Sequence, residues 1–144
     1  MNEPVWIDVA DVLSFHEVML GRFGGLPGVR DAALLDSAVN RPRQLFAYGE
    51  PDLFALAAAV AEGIVRNHSF LDGNKRAGFM AAALFLEVNG WSFQASEEDV
   101  VVRTLALAAG AIGGAEYAHW LRGATVRPPA TTGAKTGRKP RQRA

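Results

Sequence analysis

The stretch "LFALAAAVAEGIVRN", residues 53–67, constrains this chain more than any other. Alanine has the highest intrinsic helix propensity, and side chains this small let neighbouring helices approach closely on several sides. Such a segment is expected to be a helix at the centre of a packed domain. Glu62 interrupts its apolar run, which is also too short to span a bilayer. Asp52, immediately before it, is suited to be its N-cap.

The surrounding sequence reads as further helices with short joints. Asp8 can cap "VADVLSFHEVMLGRF", with Val9, Leu13, His16 or Val18, and Leu20 near one face, and Gly24-Gly25 ends it. "GGLPGVR" holds too many Gly and Pro residues for regular structure, and Asp31 then caps "AALLDSAVN", which Pro42 is expected to close. The segment "RPRQLFAYGEPD" between Arg41 and Asp52 reads as a short extended flap. Beyond the central helix, "NKRAGFMAAALFLEVNG" starts at Gly73 or Asn74 and stops at Asn89-Gly90. Ser96 caps a fifth helix whose first turn carries three carboxylates, and "EYAHWLR" belongs to a sixth. With no sustained apolar/polar alternation, the expectation is an all-α bundle of about six helices over residues 1–122.

Charge separates that domain from the last 22 residues of the chain. The formal net charge is zero, yet residues 123–144 hold six Lys/Arg and no Asp/Glu, leaving nine basic and fifteen acidic side chains before them. The tail, rich in Gly, Pro, Thr and cations, has too little apolar surface to offset its ordering entropy and is expected to be disordered. It reads either as a solvated terminus or as an electrostatic arm for nucleic acid or an acidic partner. The absence of cysteine excludes disulfides, thiolate catalysis and cysteine-ligated metal. The acidic start "MNEPVWIDVADV" does not resemble a secretion signal, so a cytoplasmic chain without a membrane partner is expected.

Residues 68–79, "HSFLDGNKRAGF", carry the chemistry. A glycine at a helix start leaves room for a ligand to approach amides that lack an intrahelical partner, and the helix dipole adds positive potential there. Lys75 and Arg76 stand in the first turn, where cations oppose the dipole unless an anion is present. A polyphosphate suits such a site, gripped by Arg in a fork and by Lys as a point charge. Asp72 is a natural Mg2+ ligand beside it, and His68 can reach the same pocket as a general base. Phe70 reads as core, His16 and His119 as structural, and Asn74 as bonding either the ligand or the loop backbone.

"HSFLDGNKR" resembles the Fic/Doc signature H-x-F-x-[DE]-x-N-[GK]-R. "RFGGLPGVRDAALLDSAV", "FAYGEPDLF", "FLEVNGW" and "WLR" extend the likeness to the Doc, or death-on-curing, branch over roughly residues 5–122. The resemblance implies a compact helical toxin of a type II toxin-antitoxin pair that uses ATP and Mg2+ to modify a protein hydroxyl. It assigns His68 as the base, Asp72 to the metal, Gly73 and Asn74 to the anion nest, and Lys75 and Arg76 to the phosphates. Arg66 matches a position that lines the pocket.

AMP-transferring relatives resemble H-P-F-x-[DE]-G-N-G-R-x-x-R, where this chain has Lys75 and Phe79. In the Doc branch that lysine accompanies an inverted nucleotide, so the resemblance implies γ-phosphate transfer, with a threonine of elongation factor Tu as target and translation arrest as outcome. AMP transfer is the alternative on the same scaffold; a non-catalytic module acting with an antitoxin on operator DNA is another. No inhibitory S/T-x-x-x-E-[GN] helix is present, so restraint is expected from a Phd-like antitoxin whose C-terminal segment docks as a helix.

Overall fold

The computed structural model describes residues 2–127 and contains six helices, most of which begin at a residue suited to bond their first free amides. Asp8, Asp31, Asp52 and Ser96 accept from the amides of Asp11, Leu34, Phe54 and Asp99, and so cap α1 (Val9–Phe23), α2 (Ala32–Ala47), α3 (Leu53–Asn67) and α5 (Glu97–Ala109). In α6 (Gly114–Gly123) the Glu116 carboxylate reaches back to the Gly113 amide at 3.0 Å. By contrast, α4 (Asn74–Val88) begins at Gly73, which has no side chain with which to cap it.

The alanine-rich segment is the central helix. Nine α3 residues, from Phe54 to Val65, are buried. Two glycines set its spacing. A Cβ on Gly63 would lie 2.8 Å from that of Ala38 on α2, and one on Gly78 of α4 would lie 2.5 Å from Cγ2 of Val65 and 3.0 Å from the Ala61 carbonyl oxygen. Both helices therefore pack closer to α3 than a side chain at either position allows. Aromatic rings close the far side: Phe79, Phe93, Tyr117 and Trp120 form a run of edge and tilted contacts.

Three sequence expectations change. Pro42 does not close α2, which continues to Ala47 with Pro42 buried beside Leu35, Ala38 and Val39. An interior proline costs about 3 kcal/mol of helix stability, and here packing against α3 outweighs that local penalty. The extended flap between Arg41 and Asp52 is consequently absent: residues 41–47 are helical and only the turn at 48–52 is irregular. Finally, the domain does not stop at residue 122. Strand β1 (Ser92–Phe93) pairs antiparallel with β2 (Thr125–Val126), with Ala124 and Thr125 buried, so this tiny sheet carries the fold past the expected boundary. The rest of the basic tail, residues 128–144, lies outside the described residues. Among those described, no helix is long and apolar enough to cross a membrane.

Candidate functional site

The motif occupies the joint between α3 and α4. His68 is the C-cap of α3 in the left-handed region, φ 48° and ψ 57°, and is the only non-glycine residue with positive φ among those described. A side chain held there costs roughly 1–3 kcal/mol, so the surroundings must enforce it. The loop before α2 does so. The Arg30 and Asp31 amides donate to the Ser69 carbonyl at 2.9 and 3.2 Å, and the Leu71 amide donates to Gly28 at 3.1 Å. The Arg30 side chain adds two bonds, from Nε to the His68 carbonyl at 2.6 Å and from Nη2 to the Asn67 carbonyl at 2.7 Å.

The far end of the joint is fixed from α1. His16, buried, has Nε2 2.8 Å from the Asp72 carbonyl oxygen, and its ring stacks on buried Phe70 with centroids 3.7 Å apart. The Asp72 carboxylate accepts from the Gly73 amide at 2.9 Å and the Leu26 amide at 3.1 Å. Its residue is exposed, and each oxygen keeps a lone pair beyond these bonds. Gly73 has φ 77°, and a Cβ there would face the His16 ring at 3.4 Å. That is an ordinary van der Waals distance, so the glycine serves the left-handed turn rather than the His16 contact.

Asn74 resolves toward the loop. Its Oδ1 accepts from the Phe70 amide at 2.8 Å and its Nδ2 donates to the Phe70 carbonyl at 2.9 Å. The side chain assigned to an anion nest is spent closing the turn, which leaves the backbone for a ligand. The first helical bond of α4 runs from the Ala77 amide to Gly73, and the amides of Asn74, Lys75 and Arg76 have no acceptor among the described residues. Lys75 is exposed, and the exposed Arg76 holds its guanidinium 4.3 Å above the Phe23 ring.

Arg66 is engaged elsewhere. Its guanidinium bonds Glu62 at 2.9 Å, the Leu107 carbonyl at 3.1 Å and the Ile112 carbonyl at 2.9 Å, tying α3 to the α5–α6 joint. These bonds commit three of its five N–H donors, which leaves two for a phosphate. His119, read as structural, is exposed and lines a separate cleft of about 680 Å³ with Asp99, Arg103 and Trp120.

Three amides without partners among the described residues, an exposed lysine and a nearby arginine at one positive helix end suit a phosphate chain. The described residues contain no group of three or more candidate metal ligands, so a divalent ion here would rest on Asp72 together with phosphate and water oxygens. His68, at the opposite end of the loop, has a side chain of the type that can accept a proton. Sequence reasoning read His16 as structural without its partners, and missed Arg30. The only signals were a histidine on an apolar helix face and an arginine just before the Asp31 cap.

These features define a helical domain in which a histidine, a carboxylate, two cations and an open helix N-terminus share one loop. A sequence model of the Fic/DOC family matches residues 6–86, more than half of the chain, which therefore belongs to that family. Over 88 residues it is 44% identical to Toxin Doc of Mycolicibacterium smegmatis, covering 59% of this chain and 65% of that protein. Over 85 residues it is 35% identical to Protein kinase doc of Escherichia phage P1, covering 58% and 68% respectively. The chain thus spans just under two thirds of the first relative's length.

Proposed function

We propose that this chain is a Doc-type toxin that transfers the γ-phosphate of ATP to a serine or threonine hydroxyl of a protein. The observation that carries this reading is the open first turn of α4, whose three free amides share one helix end with Lys75 and Arg76. That end favours the negative charge of a phosphate chain without reorganising. His68 accepts the target hydroxyl's proton, and Arg30 and His16 hold the two ends of the joint between them. Asp72, with lone pairs to spare, would hold Mg2+, which when bound neutralises phosphate charge. Phosphoryl transfer depends mainly on positioning and charge stabilisation, which this cluster is suited to supply.

The similarity to a phage protein named a protein kinase favours phosphate over AMP transfer. Elongation factor Tu is the target that the Doc resemblance suggests, and a Phd-like antitoxin the partner, with operator DNA reached through that complex. The test is intact-mass analysis of elongation factor Tu after incubation with the chain, ATP and Mg2+, beside the His68→Ala variant. A gain of one phosphoryl group that needs His68, with label from γ- but not α-labelled ATP, is expected. A gain of AMP instead overturns the phosphotransferase assignment.

A further inference from the structure

We infer that Arg30 is a positioning residue for His68, acting through the backbone of the α3 C-terminus; the catalytic half of this inference rests on the function proposed above. The last carbonyls of a helix have no intrahelical partner, and a cation there is favoured by the dipole. Arg30 meets both needs with one planar fork: Nε takes the carbonyl of His68 and Nη2 that of Asn67, at 2.6 and 2.7 Å.

The remaining restraints on His68 are weaker. Its amide bonds the Ile64 carbonyl, as the helix end requires, while the next amide, that of Ser69, reaches the same oxygen only at 3.5 Å. The ladder between residues 28–31 and 69–71 uses main-chain atoms of Arg30 and its neighbours, and it does not touch the His68 carbonyl. Removing the guanidinium therefore leaves the ladder in place and frees the one residue held at an unfavourable φ. The carbonyl can then rotate, and the imidazole turns with it. Lysine cannot replace the fork, because a single ammonium lacks the planar pair of donors.

Two readouts on the full chain test this. NMR coupling between the His68 amide and α protons, with its carbon shifts, reports φ without any activity. Transfer kinetics on elongation factor Tu report the consequence. In Arg30→Ala we expect the left-handed signature of His68 to disappear, and kcat to fall at least tenfold while KM for ATP changes less than twofold, the pattern of a lost transition-state arrangement. Arg30→Lys is expected to recover part of both. Where Arg30→Ala does not fold, Arg30→Gln takes its place in the comparison. Retention of the left-handed signature in folded Arg30→Ala or Arg30→Gln overturns the inference, as does a rise in KM with kcat intact. If the unaltered chain transfers nothing, the proposed function fails, and the NMR arm alone still decides whether Arg30 holds His68.

Discussion

His16 on α1 bonds the backbone of Asp72, 56 residues away, while its ring lies flat on Phe70. One buried side chain thus fixes both the carbonyl beside the proposed metal ligand and the apolar anchor of the same loop. Replacing it by alanine leaves the carbonyl without its partner and a void against Phe70. His16→Ala is expected to lose roughly 2 kcal/mol of stability in urea unfolding, and to lower transfer activity beyond what the unfolded fraction explains. Unchanged stability would mean that the loop is held without α1.

At His68 the demands of chemistry and backbone conflict. Glycine relieves the positive φ but removes the proposed base, so His68→Gly should be more stable than His68→Ala by about 1 kcal/mol. Both variants should be inactive. Equal urea midpoints for the two would argue that His68 is not left-handed in solution.

A similar conflict exists at Lys75, exposed in the first turn of α4. Lys75→Glu places a carboxylate where the dipole favours one, a gain of about 0.5 kcal/mol at low salt. The same change should abolish ATP binding, measured by calorimetry. An ATP affinity within twofold of the original would remove Lys75 from the phosphate site.

Tyr117 offers a pH test of the core. Burial pushes its phenol up to about 12 from an ordinary value of 10.0, against a smaller opposing effect of its hydrogen bond with Thr104. The folded state therefore keeps a proton that the unfolded state releases. The associated stability is intact below pH 10 and is lost as pH rises toward 12, by about 3 kcal/mol over that interval. Tyr117→Phe should flatten this part of the stability profile in urea melts. An unchanged slope in the variant would assign the alkaline loss to other groups.

Glycine substitutions separate close packing from helix propensity. Gly63→Ala forces a Cβ to 2.8 Å from Ala38 and should destabilise the chain by roughly 1–3 kcal/mol. At Gly21, inside α1, an added methyl would meet nothing within 4 Å, so Gly21→Ala should stabilise by up to about 1 kcal/mol. Thermal melts of both should shift in opposite directions.

The legible parts of the fold were those whose causes are local. Asp8, Asp31, Asp52 and Ser96 each bond an amide two or three residues on, so their caps could be read from the adjacent sequence. Pro42 could not, since its place inside α2 depends on burial that only the assembled helices provide. The motif from His68 to Arg76 was visible as a cluster. Its supports were not: Arg30 meets Asn67 and His68 from 37 and 38 residues away, and no periodicity marks that contact. Arg66 shows the converse, a residue that the family resemblance placed at the phosphate pocket while its bonds run to the α5–α6 joint.

Gly78 gives the loop its width. His68 hangs from the end of α3 and Gly73 opens α4, so the lateral gap between these two helices also sets the span between the proposed proton acceptor and the amides at the start of α4. That gap closes on Val65 and Ala61 only because residue 78 has no side chain. A residue with nothing to offer a substrate therefore calibrates the reach of the site, and a single added methyl there would pry its two halves apart while leaving every polar group in place.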